Sequence, residues 1–596
     1  MAEALVRFLA NQIIDDAPLF AGVWAIFGHG NVAGLGPALH AARRKLPTLR
    51  AHNEQAMAHA AIAFAKAHAR RRMMACTTSI GPGASNMVTA AAVAHVNRLP
   101  VLLLPGDIFA SRRPDPVLQQ LEAFGDPGAS VNDCFRPVSR YFDRIVRPEQ
   151  LLVSLPAALR VLLDPADCGP ATLALPQDVQ TEAYDYPAEF FRRRVHRIRK
   201  PLPDASELEA AARTLKNARR PLIVAGGGAK YALAEKRLAA FAEEHGIPVS
   251  ETQAGKGSLA WDHARNAGAI GVTGSIAANA LAAKADVVLA VGSRLGDFAT
   301  GSRALFSDAK LVQLNVGAFD AAKHGAVPLV ADADAGLEAL GRALRGWRAP
   351  AAWTEQAARL SRAWNREVER ITAPGRGKPT DAQVLGVVNK NLPGNAVVVC
   401  AAGGLPGELH KLWRASDSTS YHLEYGYSCM GYEIAGGLGV KLAQPKREVC
   451  VVVGDGSYLM LNSEIATSVA LGAKLTIVVL DNRGFGCIER LQAATGGASF
   501  NNLLDDAAPR VDFAAHARSL GAQAEHVEAK NLEAALRRAL RARKTAVVVI
   551  DTDPRRGTTE GGTWWEVAVT DAPRSAGQKK ARAAYERARK RQALGA

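Results

Sequence analysis

Several absences narrow what this chain can be. No apolar run in its 596 residues approaches the ~18 consecutive residues needed to cross a bilayer, which excludes helical membrane spans. The opening residues Met1 to Leu9 pattern as an amphipathic helix and lack the charged stub and long apolar stretch of a secretion signal, so no leader is expected. Cysteines number seven, an odd count with no CxxC pair. That excludes a disulfide scaffold and a cysteine zinc site, and it fits a reducing cytoplasm. Acidic residues are in deficit, 57 against 73 Lys and Arg, for a net charge of +16. The excess is uneven: residues 571–596 carry eight Lys or Arg opposed only by Asp571 and Glu586. A single aromatic residue, Tyr585, stands among these charges, short of the repeated aromatic-basic interleaving of a nucleic-acid surface, so the basic tail reads as an exposed helix or frayed end. An RNA or membrane role for it is the alternative.

What the chain does have is 48% hydrophobic content over a length that can fill several cores. Strand-like apolar runs alternate with helical patterns throughout, the pattern of α/β domains whose parallel sheets are covered on both faces. Two breaks divide it. One is the basic and proline-containing stretch Arg192 to Ala205, the other Ala373-Pro374-Gly375-Arg376-Gly377-Lys378-Pro379. The expected units are 1–195, 205–350 and 375–570, each a doubly wound parallel sheet, followed by the tail 571–596. A charged stretch from Trp347 to Arg370 reads as a connecting helix.

The most informative segment lies in the last unit. Val451-Val452-Val453 runs into Gly454-Asp455-Gly456-Ser457, and a second apolar run, Leu475 to Leu480, ends in Asp481-Asn482-Arg483-Gly484. With Leu461 to Leu471 as the crossover helix, this is a βαβ unit of about 30 residues. Both polar loops then fall at the carboxyl edge of one sheet, where doubly wound sheets bind ligands. Asp455, Asn482 and the Gly484 carbonyl form an oxygen set suited to Mg²⁺, which takes one or two protein carboxylates and leaves its other positions to phosphate and water. Gly454 and Gly456 allow close backbone approach, and Ser457 adds an N–H at a helix start. In the middle unit, Pro221 to Ala225 leads into Gly226-Gly227-Gly228-Ala229, but the full spacing of a dinucleotide fingerprint is missing. A structural domain is the favoured reading there, with flavin (FAD) or another nucleotide as the alternative.

The paired loops resemble the binding signature of the thiamine-diphosphate-dependent enzymes, a Gly-Asp-Gly followed some 25 residues later by a pair ending in Asn. One departure is Asp481, where the pattern often has a first Asn. The resemblance extends to Leu49-Arg50-Ala51-His52-Asn53-Glu54-Gln55, similar to the family's activator-glutamate segment, and to Thr78 to Asn86, the loop beside the cofactor pyrimidine. It also extends to Tyr427-Ser428-Cys429-Met430-Gly431-Tyr432. It implies that Glu54 holds the proton at the pyrimidine ring, with Asn86 nearby, that Met430 wedges between the cofactor rings, and that the Ser428 carbonyl accepts from the amino group. Gly403, Gly404 and Leu405, just past the run Val397-Val398-Val399, form a loop suited to the diphosphate.

Taken over residues 4 to 570, the chain is most similar to the trihydroxycyclohexane-dione acylhydrolases of myo-inositol catabolism. The segments that carry this likeness include Phe27-Gly28-His29-Gly30-Asn31, Asp115-Pro116-Val117-Leu118-Gln119-Gln120, Val249 to Lys256, His422-Leu423-Glu424-Tyr425-Gly426-Tyr427 and Gly484-Phe485-Gly486-Cys487-Ile488. The resemblance implies hydrolytic ring opening of a cyclic dione to 5-deoxy-glucuronate through the thiamine diphosphate C2 carbanion, in at least a homodimer with each site shared between subunits. His29 is the first candidate for proton transfer or substrate orientation, because imidazole titrates near neutrality and here follows a strand in a glycine loop. Gln119 is a candidate for a substrate hydroxyl. Two rival readings stand beside this one. The first is carboligation of 2-keto acids of the acetohydroxyacid synthase type, with flavin in the middle unit. The second is a non-catalytic scaffold that uses the basic tail on nucleic acid.

Overall fold

The computed structural model describes residues 1–114, 116–505 and 507–593. Three six-stranded sheets follow one another along the chain, and every pairing within them is parallel. The first runs in the order Thr48–Arg50, Phe20–Ala25, Met73–Thr78, Val101–Asp107, Pro170–Pro176, Tyr141–Arg144. The third runs Tyr421–Leu423, Val397–Cys400, Val449–Gly454, Thr476–Asp481, Ala546–Asp551, Gln523–Val527. Numbered within each unit, both have the strand order 2-1-3-4-6-5. The middle sheet, Asn266–Ala269, Val249–Glu251, Pro221–Ala225, Val287–Val291, Lys310–Asn315, Val327–Val330, is wound differently, as 3-2-1-4-5-6. Its central strands are valine-rich and fully buried, as parallel strands covered on both faces must be.

The two breaks are not equivalent. Ala351–Thr372 forms the expected connecting helix and leads to the second break. The first contributes a strand, Arg194–His196, which pairs parallel with Gln12–Ile14 and so ties the end of the first unit to its beginning. That pairing spans some 180 residues, out of reach of any local pattern. A second difference concerns the crossover in the third unit. A helix starts at Asp455 itself, Asp455–Met460, breaks at Leu461, and resumes as Glu464–Ala470. The Gly-Asp-Gly turn is therefore already the first turn of a helix.

The first and third units share one hydrophobic core, in which Met57, Ile62 and Phe64 meet Ile434, Leu438 and Val451. The contact is made by Glu54–Ala67, an alanine-rich helix capped by Asn53, whose side chain accepts from the Ala56 N–H at 3.0 Å, and by Tyr432–Ala443. A Cβ at Gly439 would sit 2.1 Å from the Ala60 carbonyl oxygen, so only glycine lets the two helices meet at this distance. The basic tail forms the helix Ala576–Arg589, which folds back: Tyr585 donates to Glu566 at 2.9 Å, and Gln592 donates to the Ser302 carbonyl at 3.1 Å. No helix among the described residues is long and apolar enough to cross a membrane.

Candidate active site

At the carboxyl edge of the third sheet the strand Val449–Gly454 delivers Asp455, 5% exposed, onto the first position of a helix. Its Oδ2 accepts from the Gly484 N–H at 2.8 Å, and its Oδ1 lies 3.5 Å from the Asn482 nitrogen. The adjacent strand end thus folds directly over it. Burial, reinforced by the charge of Asp481, pushes the Asp455 carboxyl up to about 7. Beside it the Asn482 Oδ1 is buried with no hydrogen-bond partner among the described residues. A buried carboxyl that resists ionisation next to an orphaned amide oxygen is a donor set that fits a hard cation. Gly484 completes the turn at φ 145°, where a Cβ would meet the Asn502 carbonyl oxygen at 2.3 Å. Among the described residues no cluster of three or more His, Cys, Asp or Glu exists that would hold a softer or more heavily ligated ion. One carboxylate, one amide and backbone oxygen suit Mg²⁺ completed by diphosphate oxygens.

Three loops converge on this edge. Gly403 and Gly404 precede the helix Leu405–Leu412; Gly403 is left-handed at φ 83° with open space where its Cβ would be. Ser428, at φ 54°, is exposed, and Met430 is half-buried against the core the first and third units share. A Cβ on Gly456 would lie 2.7 Å from the Phe485 ring and 3.6 Å from the Met430 Cε, which puts Met430 beside the Gly-Asp-Gly turn. Gly454 has open space above it. The Ser457 hydroxyl is turned inward: it donates to Glu433 Oε2 at 2.7 Å and accepts from the Gly431 N–H at 2.7 Å. Any contact of Ser457 with a phosphate is thus left to its backbone.

The first unit gathers its candidates around the loop Ser79 to Gly83. Glu54 opens its helix, and its Oε2 accepts from Asn86 at 2.8 Å; Gly83 leaves room for its other oxygen. Within a single chain Glu54 is half-buried, because it stands at a helix start on the rim of the unit. Its neighbour Gln55 reaches Cys429 at 3.9 Å, and His52 docks on the third unit through Glu464 and Thr467. The activator segment and the Met430 segment therefore adjoin. His29 is exposed in a loop whose Gly30 N–H donates to Ser79 Oγ at 3.3 Å. Gln119 is exposed at φ 65°, and its carbonyl sits where a Cβ on Gly81 would be. Asp115, in the same segment, lies outside the described residues.

Family comparisons agree with this geometry. Models described as "Thiamine pyrophosphate enzyme, N-terminal TPP binding domain", "central domain" and "C-terminal TPP binding domain" match residues 2–125, 208–340 and 401–551. The chain belongs to the thiamine pyrophosphate enzymes. Among curated members it is 45% identical to a protein of Geobacillus thermodenitrificans (strain NG80-2), over 96% of this chain and 95% of that one. It is 42% identical to proteins of Bacillus cereus (strain AH820) and Bacillus thuringiensis (strain Al Hakam), over 98% of this chain and 97% of each. All three carry the name 3D-(3,5/4)-trihydroxycyclohexane-1,2-dione hydrolase.

In the central unit of the enzyme the glycine loop serves close packing. A Cβ on Gly226 would meet the Gly292 carbonyl oxygen at 2.4 Å, and one on Gly228 would meet the Gly292 Cα at 2.6 Å. These strand ends border a cavity of about 440 Å³ that also touches Lys66, Arg70 and Arg294. Sequence reasoning passed over two residues that organise the cofactor edge, Glu424 and Glu433. The available signal was a carboxylate in the first turn of an otherwise apolar glycine-rich helix, Tyr432-Glu433-Ile434-Ala435-Gly436-Gly437.

Proposed function

We propose that the enzyme hydrolytically opens 3D-(3,5/4)-trihydroxycyclohexane-1,2-dione to 5-deoxy-D-glucuronate in myo-inositol catabolism, a hydrolase acting on a C–C bond of a ketonic substrate. The observation that carries this reading is identity of 42–45% over at least 96% of the chain to proteins bearing that name. Bound thiamine diphosphate supplies the electron sink for breaking the bond between the two carbonyl carbons. In the net reaction one carbon takes the hydroxyl of water and becomes a carboxylate, while the other takes a proton and becomes an aldehyde.

The protein's part divides between the units. Asp455, Asn482 and the Gly484 carbonyl hold Mg²⁺, and the backbone of Gly403, Gly404, Leu405, Gly454, Gly456 and Ser457 faces the diphosphate. Met430 supports the bent cofactor, and the Ser428 carbonyl accepts from its amino group. Glu54, steadied by Asn86, holds a proton at the pyrimidine ring. His29 orients the dione or moves its proton, and Gln119 bonds a hydroxyl. The units 1–195, 205–350 and 375–570 act as pyrimidine-binding, central and diphosphate-binding domains. A homodimer at least is part of the reading, supported by the apolar Leu459, Met460, Phe485 and Ile488, each 40–52% exposed beside the metal loop. Cytoplasmic residence fits seven free cysteines.

The deciding experiment follows product formation from the dione by NMR, with thiamine diphosphate and Mg²⁺ present or stripped. Cofactor-dependent ring opening is expected. Pyruvate consumption without ring opening, together with flavin absorbance in the purified protein, would place the enzyme with the carboligases instead.

A further inference from the structure

The segment Tyr427 to Gly431 carries the Ser428 carbonyl and Met430, yet it has no regular secondary structure to fix it. Two of its residues are left-handed, Ser428 at φ 54° and Gly431 at φ 90°. Such a segment needs an external reason to stay in one conformation. The reason lies beneath it in two carboxylates, each 1% exposed. Glu424 accepts the Tyr427 N–H on Oε1 at 2.9 Å and the Cys429 N–H on Oε2 at 2.7 Å. Asn97 of the first unit donates to the same Oε1 at 2.8 Å. Glu433 accepts the Gly431 N–H at 3.1 Å and the Ser457 hydroxyl at 2.7 Å on Oε2, and the Ala402 N–H at 3.3 Å on Oε1.

Alternate amides of the segment, at 427, 429 and 431, are thus all drawn inward. The intervening Ser428 carbonyl accepts no hydrogen bond among the described residues. Glu433 does more than hold one loop, because its three donors come from the 401–404, 427–431 and 454–457 segments. Burying two carboxylates is costly, and it pushes Glu433 up to about 7; the N–H and O–H donors gathered on each carboxylate offset part of that cost. A purely structural core would fill these positions with apolar side chains at less cost.

We propose that Glu424 and Glu433 are positioning residues that clamp this segment at both ends, fixing the Ser428 carbonyl and Met430 toward the cofactor and, through Glu433, setting the three cofactor loops in register. The assignment of the cofactor face rests on the thiamine diphosphate reading of the site. The state of the clamp itself does not.

Two measurements separate those layers. In cofactor-free protein, amide hydrogen exchange is read at Tyr427, Cys429 and Gly431. Glu424→Gln places an amide N–H₂ against one of the two N–H donors, so exchange at 427 or 429 should quicken by about tenfold or more. Glu433→Gln should do the same at Gly431. Ser457→Ala, which leaves both carboxylates intact and carries no new buried charge, is the variant of choice if either glutamine form fails to fold, and it should quicken Gly431 alone. Titration calorimetry with thiamine diphosphate and Mg²⁺ should then show affinity weakened by about tenfold in each loosened variant, with Glu→Ala weaker than Glu→Gln. Unchanged exchange at all three amides overturns the clamp. Faster exchange with undiminished thiamine diphosphate affinity overturns its link to the cofactor. Neither result depends on which substrate the enzyme uses.

Discussion

The first and third sheets have the same strand order, yet their carboxyl edges are furnished oppositely. The third crowds Asp455, Asp481, Glu424 and Glu433 beneath or beside its loops, and Asn482 leaves an oxygen unsatisfied among them. On the first, the buried Asp107 is already paired with Arg144 at 2.7 Å, and the carboxylate beside the Ser79 to Gly83 loop is Glu54, supported by the neutral Asn86. Shared winding therefore settles only where loops meet. What they bind follows from the side chains placed there: in the proposed function one edge gathers a cation and a phosphate and the other holds a single proton.

The comparison is broken most completely by making the third edge neutral. Asp455→Asn removes the only carboxylate in the oxygen set. Changing groups behind metal ligands already costs 10–100-fold, so Mg²⁺-dependent thiamine diphosphate binding, read by calorimetry, should fall by more than about a hundredfold. On the first edge, Glu54→Gln should lower ring opening by about 10²–10⁴-fold, the range of a positioned proton-transfer group, while cofactor affinity changes far less. A cofactor affinity that collapsed equally in both variants would erase the division of labour between the edges. His29→Gln should slow turnover by at least about tenfold with cofactor affinity intact. Unchanged turnover would remove it from proton transfer.

A subtler distinction comes from pH. The Asp455 carboxyl is raised to about 7, above its value in an unfolded chain of about 3.9, chiefly by burial. A raised folded value means stability present at low pH and lost as pH climbs through about 7, so the metal-free protein should melt at lower temperature at pH 8 than at pH 5. Mg²⁺ favours the ionised form, so it should bind more tightly as pH rises to about 7, release protons on binding below that, and restore part of the lost stability. A melting temperature that ignores pH in the metal-free protein would contradict this account. The smallest effect on chemistry should come from Gly439→Ala. Its Cβ would press the Ala60 carbonyl at 2.1 Å and cost about 1–3 kcal/mol of stability, measured by denaturant melt, with the cofactor edges otherwise intact.

Much of this was legible in sequence because it is written locally. Apolar runs flanked by polar loops gave the parallel sheets, and Gly454-Asp455-Gly456 with Asn482, from a spacing inside one βαβ unit, pointed to the sheet edge where Asp455 meets the Asn482 and Gly484 backbone. Glu433 was not legible, because its donors sit 24 and 31 residues away at Ser457 and Ala402, in segments that only the folded sheet brings together. The strand Arg194–His196 was missed for the same reason, its partner lying at the far end of the first unit. The start of the helix at Asp455 was misjudged because Leu459, Met460 and Leu461 form one apolar run, and nothing in it marks the break at Leu461. The half-buried state of Glu54 depends on what covers the rim of the unit, which the order of residues within one chain does not encode.

The seam between the helices Glu54–Ala67 and Tyr432–Ala443 carries a further lesson. Where Gly439 meets the Ala60 carbonyl its spacing is set by missing atoms: no side chain stands between the two backbones there to flex and take up slack. Joints of this sort behave like a machined fit, with no play along the line of contact. Whatever movement turnover demands must then be borne by the thin polypeptide spans at the sheet edges, and the bodies that carry them keep their alignment through every cycle.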